Sequence, residues 1–353
     1  MGTDSTTDKF ISIDPEGFFR FGENRIEEKE DGHKLLSNMH RFDGVGPRVQ
    51  TSIDGVTAIV EAFDAPLIIQ SIEKSSNENR LLLEANYGYQ FEVSPEVLTI
   101  DAWDRFHGYN ENQIGFVFSR KAQFQFFDLC SEFSDDSFVI FGKEYFPKNW
   151  LDENSDASLT SFWETHYSNQ NTPWDLEQPV PALDHILPQL KLNKQRVLVL
   201  GCGAGHDAAK IAKSGHIVTA VDFSESAIAK AKKLYGEVER LEFIVADAFR
   251  LGEKFHHQFD MIFEHTLYCA IDPTQRNQLV DCWRKYLTSE GHILGLFFVF
   301  DRSGGPPFGG SEWEVKSRLE KYFSFRFWTR WRHSAPGRQG IELVVFGQLK
   351  HFS

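Results

Sequence analysis

Residues 197–207 read VLVLGCGAGHD, and no other stretch narrows the possible folds as far. A run of valine and leucine marks a strand buried on both faces, as in a parallel sheet covered by helices. The run drives into glycines at 201, 203 and 205, then into His206 and Asp207, where a segment of helical spacing begins. Bare backbone between a strand and a helix lets a ligand approach the carboxyl edge of the sheet beside the helix N-terminus. A dinucleotide site asks for G-x-G-x-x-G, yet the third glycine position is occupied by His206. The loop is therefore a poor pyrophosphate cradle and suits a ligand without phosphate.

Downstream, strand and helix signals alternate. IVTAVD reads as a second strand, and SESAIAKAKKLYG as a helix capped by Ser224 and stopped at Gly236. LEFIVAD, FDMIFEH and GHILGLFFVF follow as strands, with PTQRNQLVDCWRKYLTSEG as the helix before the last of them. FSFRFWTRW and IELVVFGQL read as a terminal antiparallel hairpin. Alternation of this kind means an α/β domain with a mostly parallel sheet.

Before residue 150 the rhythm is different. FFRFG, TAIVEAF, LIIQSI, LLLEANYGYQFEV and IGFVFS are short strand-like segments, with helices expected around KLLSNMHRF and AQFQFFDLCSEF. The polar stretch from Phe146 to Phe162 has linker composition. The expected division is an acidic α+β domain of unknown role over 1–150 and a second domain over 151–353, as suits a chain of 353 residues. The first domain offers no evident nucleophile, metal cluster or phosphate loop.

Charge and cysteines exclude several classes. Residues 1–150 carry 26 acids against 14 bases, and the remainder 25 against 23. An acidic chain argues against a nucleic-acid partner, because phosphate backbones reward basic surfaces. Cys130, Cys202, Cys269 and Cys282 have no ligand-type spacing, so no metal site and no disulfide framework is expected. The first ten residues lack the charge and apolar core of a secretory signal, and the apolar run Ile293–Phe300 is too short to cross a bilayer. The expectation is a soluble cytoplasmic protein with a small-molecule substrate and no membrane partner; oligomeric state stays open.

Two further acids fall at strand ends. Asp222 closes the second strand, followed by Phe223, where a carboxylate accepts from both hydroxyls of a ribose. Asp247 follows the third strand, suited to an adenine amino group, with Ala248 and Phe249 beside it to wall the ring. Singly, such a loop is often a tight turn and such acids are often helix caps. As an ordered set on successive strands they point to S-adenosylmethionine.

SFWETHYSNQNTPWDLEQPVP (161–181), GCGAGHD, DFSESAIAKA, FDMIFEHTLYCAIDP and GGPPF together resemble the thiopurine methyltransferase family, most nearly its halide/thiol methyltransferase branch, over residues 160–349. The resemblance implies a Rossmann-like class I methyltransferase fold with S-adenosylmethionine as cofactor. It assigns cofactor contacts to Trp163 and Trp174, whose aromatic faces suit a sulfonium, and to Tyr167, which stands where plant members carry a third tryptophan. It extends them to Gly201, Cys202, Gly203, Asp222, Phe223, Asp247, Ala248 and Phe249. Glu264 stands where the plant branch has an aspartate and would hold the methionine amino group. His265 occupies the position of a substrate-contacting arginine, and Phe297 replaces a tyrosine. His265, Tyr268 and Phe297 are thus the candidate catalytic residues, although Tyr268 also fits a packing role and His265 a satisfied, partly buried histidine.

The expected activity is in-line methyl transfer, without metal, to a small soft nucleophile: a thiol, hydrosulfide, halide, or selenium or tellurium species. Alternatives are oxygen or nitrogen methylation with His265 as base, and a regulatory protein that binds the same cofactor. DRSGGPPFGGSEW (301–313) reads as a lid loop, its glycines permitting motion.

Overall fold

The computed structural model describes residues 9–42, 47–150, 160–302 and 304–351. The chain divides into two compact units. The first runs to Asp152 and includes Phe300–Ser303 and Ser311–Glu314; the second takes Glu153–Val299, Gly304–Gly310 and Val315–Ser353. The loop read as a lid is thus shared between the units. The expected linker lies largely in 151–159, outside the described residues.

The first unit is built of sheets with two helices, Lys29–Ser37 and Arg120–Leu129, among its described residues. One sheet has six strands and the other seven, with a small three-stranded sheet besides. Its core is aromatic: Phe106, Phe116, Phe118, Phe126 and Phe138 are all buried, and Phe106 meets Phe126 edge-on at 4.9 Å. LLLEANYGYQFEV, expected as one strand, is two, Leu81–Ala85 and Gln90–Val93, parted by a turn at Asn86–Gly88. Tyr87 takes a left-handed φ of 59° there. Its hydroxyl accepts from the Phe19 amide at 3.0 Å and donates to the Ile26 carbonyl at 2.8 Å, so those two buried bonds hold the kink.

The second unit carries one sheet of strands β1 (Arg196–Leu200), β2 (Ile217–Asp222), β3 (Leu241–Val245), β4 (Phe259–His265), β5 (Leu287–Phe298), β6 (Phe323–Arg330) and β7 (Glu342–Leu349). Their spatial order is β3-β2-β1-β4-β5-β7-β6. β1 pairs in parallel with β2 and β4, and β4 with β5, while β7 runs antiparallel to β5 and β6. This is the Rossmann-like class I methyltransferase fold. Strand order reverses between β1 and β4, and in open α/β sheets the ligand crevice opens beyond the carboxyl ends at such a switch point.

Helices α1 (Thr160–Ser168), α2 (Ala182–Leu190), α3 (His206–Lys213), α4 (Glu225–Tyr235) and α5 (Arg276–Tyr286) belong to this unit. Ser224 caps α4 as its sequence implies, its hydroxyl accepting from the Ala227 amide at 3.0 Å. One element departs from expectation. The helix anticipated over 273–291 is a short 3-10 turn at Pro273–Gln275 and then α5, which ends at Tyr286. Leu287 is already extended and pairs with Phe259, and the register to β4 then shifts before Met261 meets His292. Pairing with an exposed strand edge outweighs the helical spacing of those last residues.

Two apolar layers sandwich the sheet. On one face Val197, Val199, Met261, Phe263, Leu294 and Leu296 pack with α2 and α3. On the other, Leu198, Leu200, Ile262, Phe297 and Leu343 pack with α5. Trp283 is fully buried in the second layer, beside Tyr268 and Phe297. Replacing Trp283 with alanine leaves a cavity that costs about 3–5 kcal/mol. We expect a correspondingly lower urea midpoint for this unit by tryptophan fluorescence and circular dichroism, and a midpoint within error of wild type would refute the packing role.

Candidate active site

Three of the loop residues have left-handed backbone, Gly201 at φ 63°, Gly203 at 51° and Gly205 at 80°. At two of them space matters as much as φ. A Cβ on Gly203 would lie 2.5 Å from the Tyr167 hydroxyl, and one on Gly201 would lie 2.9 Å from Leu267. A side chain at either position would push apart the walls of the loop. Cys202, between them, is tied by its amide to the Val221 carbonyl at 3.0 Å. Burial pushes its thiol well above the usual range.

Asp222 is buried at the end of β2, where Oδ2 accepts from the Gly203 amide at 2.9 Å and Oδ1 from the Ser224 amide at 3.0 Å. Burial raises its pKa, and those amides with that of Phe223 pull it back. A carboxylate has about four lone-pair sites, so each oxygen retains capacity toward a hydroxyl. Asp247 follows β3 half-buried, with Oδ1 accepting from the Phe249 amide at 2.9 Å. Ala248 and Phe249 rest against the α5 layer, where the Tyr286 hydroxyl donates to the Ala248 carbonyl at 3.0 Å.

The aromatic residues gather over the loop. Trp163 and Tyr167 project from α1, and Trp174 follows in the next turn. Ring centroids of Trp163 and Trp174 are 5.2 Å apart and those of Tyr167 and Trp174 5.9 Å, both edge-on. The Trp174 indole donates to the Tyr167 hydroxyl at 3.3 Å. What fixes α1 is Glu164, a residue the sequence reading passed over. Its carboxylate accepts from the hydroxyls of Ser224 and Ser226 and from the Ser226 amide at the start of α4. Hydrogen bonds from Ser226 and then Ser224 lower its pKa. The serine pair in SES, facing a helix start, was the available signal.

Asp207, the acid that closes GCGAGHD, bridges two segments. Oδ1 accepts from the Val180 amide at 2.7 Å and Oδ2 meets Nδ1 of His265 at 2.7 Å. The other nitrogen of His265 faces Nη1 of Arg338 at 3.2 Å. A guanidinium only donates, so Nε2 accepts and Nδ1 carries the proton given to Asp207. Arg338 also donates to the Trp174 carbonyl at 2.8 Å and stands 3.8 Å from Glu342. Its burial lowers its pKa. Neither oxygen of the buried Glu342 has a hydrogen-bond partner. Arg338 was not among the sequence candidates, and nothing in APGRQG marks it.

His265 lies on the face of Phe263 and Phe298, whereas Glu264, one residue earlier, turns to the opposite face, as strand alternation requires. Tyr268 and Phe297 share that opposite face, edge-on at 5.2 Å. Across the sheet Glu264 pairs with Gly295, and a Cβ there would strike the Phe297 ring at 2.2 Å. The missing side chain leaves room for the ring over the position opposite Glu264. Glu264 is 1% exposed; Oε1 accepts from the Tyr268 amide at 2.7 Å, and Oε2 has no hydrogen-bond partner. Burial pushes its pKa up to about 7, against the Tyr268 and Leu267 amides and the Arg276 guanidinium, which lower it. Burial likewise pushes the Cys269 thiol up to about 12.

The wall on this face is held by Arg276, which is fully buried. It donates to the carbonyls of Tyr268 at 3.1 Å, Gly309 at 3.0 Å and Phe308 at 3.4 Å, and its guanidinium lies 4.5 Å over the Tyr268 ring. Among the described residues there is no cluster of metal-ligating side chains, and no helix is long and apolar enough to cross a membrane.

The Glu264 shift has a consequence for stability. Its carboxyl titrates near 7 when folded against 4.5 otherwise, so between those values the folded chain binds the extra proton. Stability from this group is present below pH 4.5, falls as pH rises to about 7, and stays lost above. At 1.36 kcal/mol per unit that is about 3 kcal/mol. Glu264→Gln removes the dependence. Denaturant midpoints from pH 4.5 to 8 should flatten in that window, and an unchanged slope would exclude the raised pKa.

Comparisons with known proteins give one family match and several methyltransferase relatives. The thiopurine S-methyltransferase (TPMT) family model matches residues 159–336. Thiocyanate methyltransferase 1 of Arabidopsis thaliana is 34% identical over 150 residues, 41% of this chain and 65% of that protein. Probable thiol methyltransferase 2 of the same plant is 32% identical over 172 residues, 48% of this chain and 74% of that protein. This chain thus spans less than two thirds of the first relative's length. Among solved structures, the 1,6-didemethyltoxoflavin-N1-methyltransferase of Burkholderia thailandensis matches with a TM-score of 0.48 and 19% identity, covering 63% of this chain and 99% of that one.

Proposed function

The chain belongs to the thiopurine S-methyltransferase family, and from that premise we propose that it transfers a methyl group from S-adenosylmethionine to a small soft nucleophile, such as a thiol, hydrosulfide, halide or thiocyanate. One observation carries the cofactor assignment: a side-chain-free backbone at Gly203, hydrogen-bonded to the strand-end carboxylate of Asp222 and roofed by Tyr167. The fit is chemical as well as steric. The loop offers amides and a buried acid without a basic phosphate ligand, and the aromatic edges and faces of Trp163, Tyr167 and Trp174 suit a sulfonium. Gly201, Cys202, Gly203, Asp222 and Phe223 would hold ribose and methionine, and Asp247, Ala248 and Phe249 the adenine.

When bound, the cofactor supplies an electrophilic methyl group on a positively charged sulfur. The chain's part is alignment, since an in-line displacement gains most from holding the partners in reach. Tyr268, Phe297 and Phe308 form an apolar aromatic wall, and Arg276 clamps the two loops that carry Tyr268 and Phe308. A wall of that kind strips water from an anion before it reacts. Both nitrogens of His265 are engaged, by Asp207 and Arg338, so it acts in positioning rather than as a free base. The similarity to thiocyanate and thiol methyltransferases supports the acceptor class.

Asp222→Ala should weaken binding of S-adenosylhomocysteine by at least about tenfold, as expected for the loss of charged hydrogen bonds of 1.5–3 kcal/mol. Isothermal calorimetry reads it, and unchanged affinity would remove the ribose assignment. In parallel, labelled cofactor should methylate at least one of hydrosulfide, 2-mercaptoethanol, iodide or thiocyanate, and silence across that panel would sink the acceptor class.

A further inference from the structure

Methyl acceptors of the proposed class arrive in two forms. Thiocyanate and iodide are already anions, with no proton to lose. A thiol at neutral pH is mostly protonated and must shed its proton before or during attack. Of the carboxylates in and around the site, three have donors on both oxygens. Asp222 takes two backbone amides. Glu164 takes two serine hydroxyls and an amide. Asp207 is divided between the Val180 amide and His265. Asp247 is half-exposed, with Arg250 nearby. Glu342 lies 3.8 Å from Arg338, with neither oxygen hydrogen-bonded. Cys202 and Cys269 are held as thiols by burial, and His265 has no free nitrogen.

Glu264 combines an anchored oxygen with an open one. One oxygen is anchored by the Tyr268 amide, which fixes the carboxyl plane, and the other has no donor although the residue is almost wholly buried. Leaving a buried polar atom without a partner is costly, so the open oxygen is a seat for a donor that the protein itself does not provide. The turn over it is strained. Thr266, a β-branched residue, is held at φ 68°, a conformation that bulky residues rarely take and that clusters at functional sites. That turn folds Tyr268 back so that its amide reaches Glu264 while its ring meets Phe297.

We infer that Glu264 is the proton acceptor for thiol substrates, its unpartnered Oε2 receiving the hydrogen of the S–H group, an assignment that rests on the methyl-transfer reading above. The thiol gives its proton to Oε2, and its sulfur electron pair forms the new S–CH3 bond. The pair of the broken methyl–sulfonium bond returns to the donor sulfur. The proton stays on Glu264 as a neutral carboxylic acid until solvent removes it after product leaves. A carboxyl that titrates near 7 is matched to this task, since a base works best near the operating pH. The family resemblance assigns Glu264 instead to the methionine amino group, and the two roles separate cleanly by experiment.

The full-length chain and its Glu264→Gln variant are compared with labelled S-adenosylmethionine, using 2-mercaptoethanol and thiocyanate as acceptors from pH 5.5 to 9. Binding of S-adenosylhomocysteine is measured by calorimetry on both proteins, which also reports whether the variant is folded. Glutamine keeps the acceptor for the Tyr268 amide and removes only the base. We expect the variant to lose about 100-fold or more in thiol kcat/KM near pH 7 while its thiocyanate rate falls less than about fivefold, in line with the usual size of general-base effects. The thiol deficit should shrink as pH approaches the thiol's own ionisation, and affinity for S-adenosylhomocysteine should stay within about threefold, well under one hydrogen bond to a charged group. Equal losses with both acceptors, together with weakened S-adenosylhomocysteine binding, would show Glu264 to be a cofactor ligand and overturn the inference. So would a thiol rate close to wild type. A wild-type chain that binds S-adenosylhomocysteine yet methylates neither acceptor would remove the methyl-transfer reading itself, a failure distinct from the other two.

Discussion

Much of the site hangs from the carboxylate of Asp207. It is the last residue of the glycine motif and the second of α3, so its position is set by the loop before any tertiary contact forms. From there one oxygen catches the chain entering α2 at Val180 and the other fixes the imidazole of His265 at the end of β4. The imidazole in turn accepts from Arg338, and Arg338 reaches the Trp174 carbonyl. One acid thereby connects the glycine loop, the β4 terminus, the segment before β7 and the aromatic roof. In a low-dielectric interior such chains of hydrogen bonds polarise one another, and removing a single member leaves the rest unpaired.

The same side-chain type does different work a few ångströms away because its surroundings differ. Glu164 sits half-exposed at the start of α4 among serine hydroxyls and an amide, which hold it ionised and let it dock α1. Asp222 is buried but faces amides on both oxygens, so burial and hydrogen bonding oppose each other. Glu264 is buried with the Tyr268 and Leu267 amides opposing, and there burial wins. Counting donors per oxygen, rather than counting acids, tells these three apart.

Local signals made the frame of the second unit legible. The buried run into Gly201, the Ser224 cap and the alternation of strands with helices each depend on neighbours in sequence, and a one-dimensional pattern carries them. The motifs around TPWDL, GCGAGHD and CAIDP likewise identified the family and the loop, strand-end acids and aromatic residues. Long-range competition was not legible. The helix after Pro273 stops at Tyr286 because β4 offers a strand edge to Leu287, and LLLEANYGYQFEV breaks because the Tyr87 hydroxyl finds two backbone partners some sixty residues away or more. Arg338 and His265 are 73 residues apart, and no local spacing announces that one will cover the other. The open oxygen of Glu264 is subtler still, since a lack of donors is a property of the packed molecule alone.

The two faces of the sheet end in opposite chemical states, and that asymmetry orders the site. On the face of His265 the polar groups at the β4 terminus are bonded or set beside a charge: Asp207 to an amide and an imidazole, Arg338 to His265, Trp174 and Glu342. Groups so engaged are poor at exchanging protons, because any change in protonation breaks a bond that the interior cannot replace. The face of Phe297 carries a clamped guanidinium, Arg276, which donates to backbone carbonyls, and a carboxyl, Glu264, with an open oxygen. Burial of that carboxyl raises its basicity by desolvation, and under the proposed reaction the same burial would weaken hydration of an anion or thiol held against it. For the proposed soft nucleophile both effects would act together, whereas the groups bonded around His265 offer it neither.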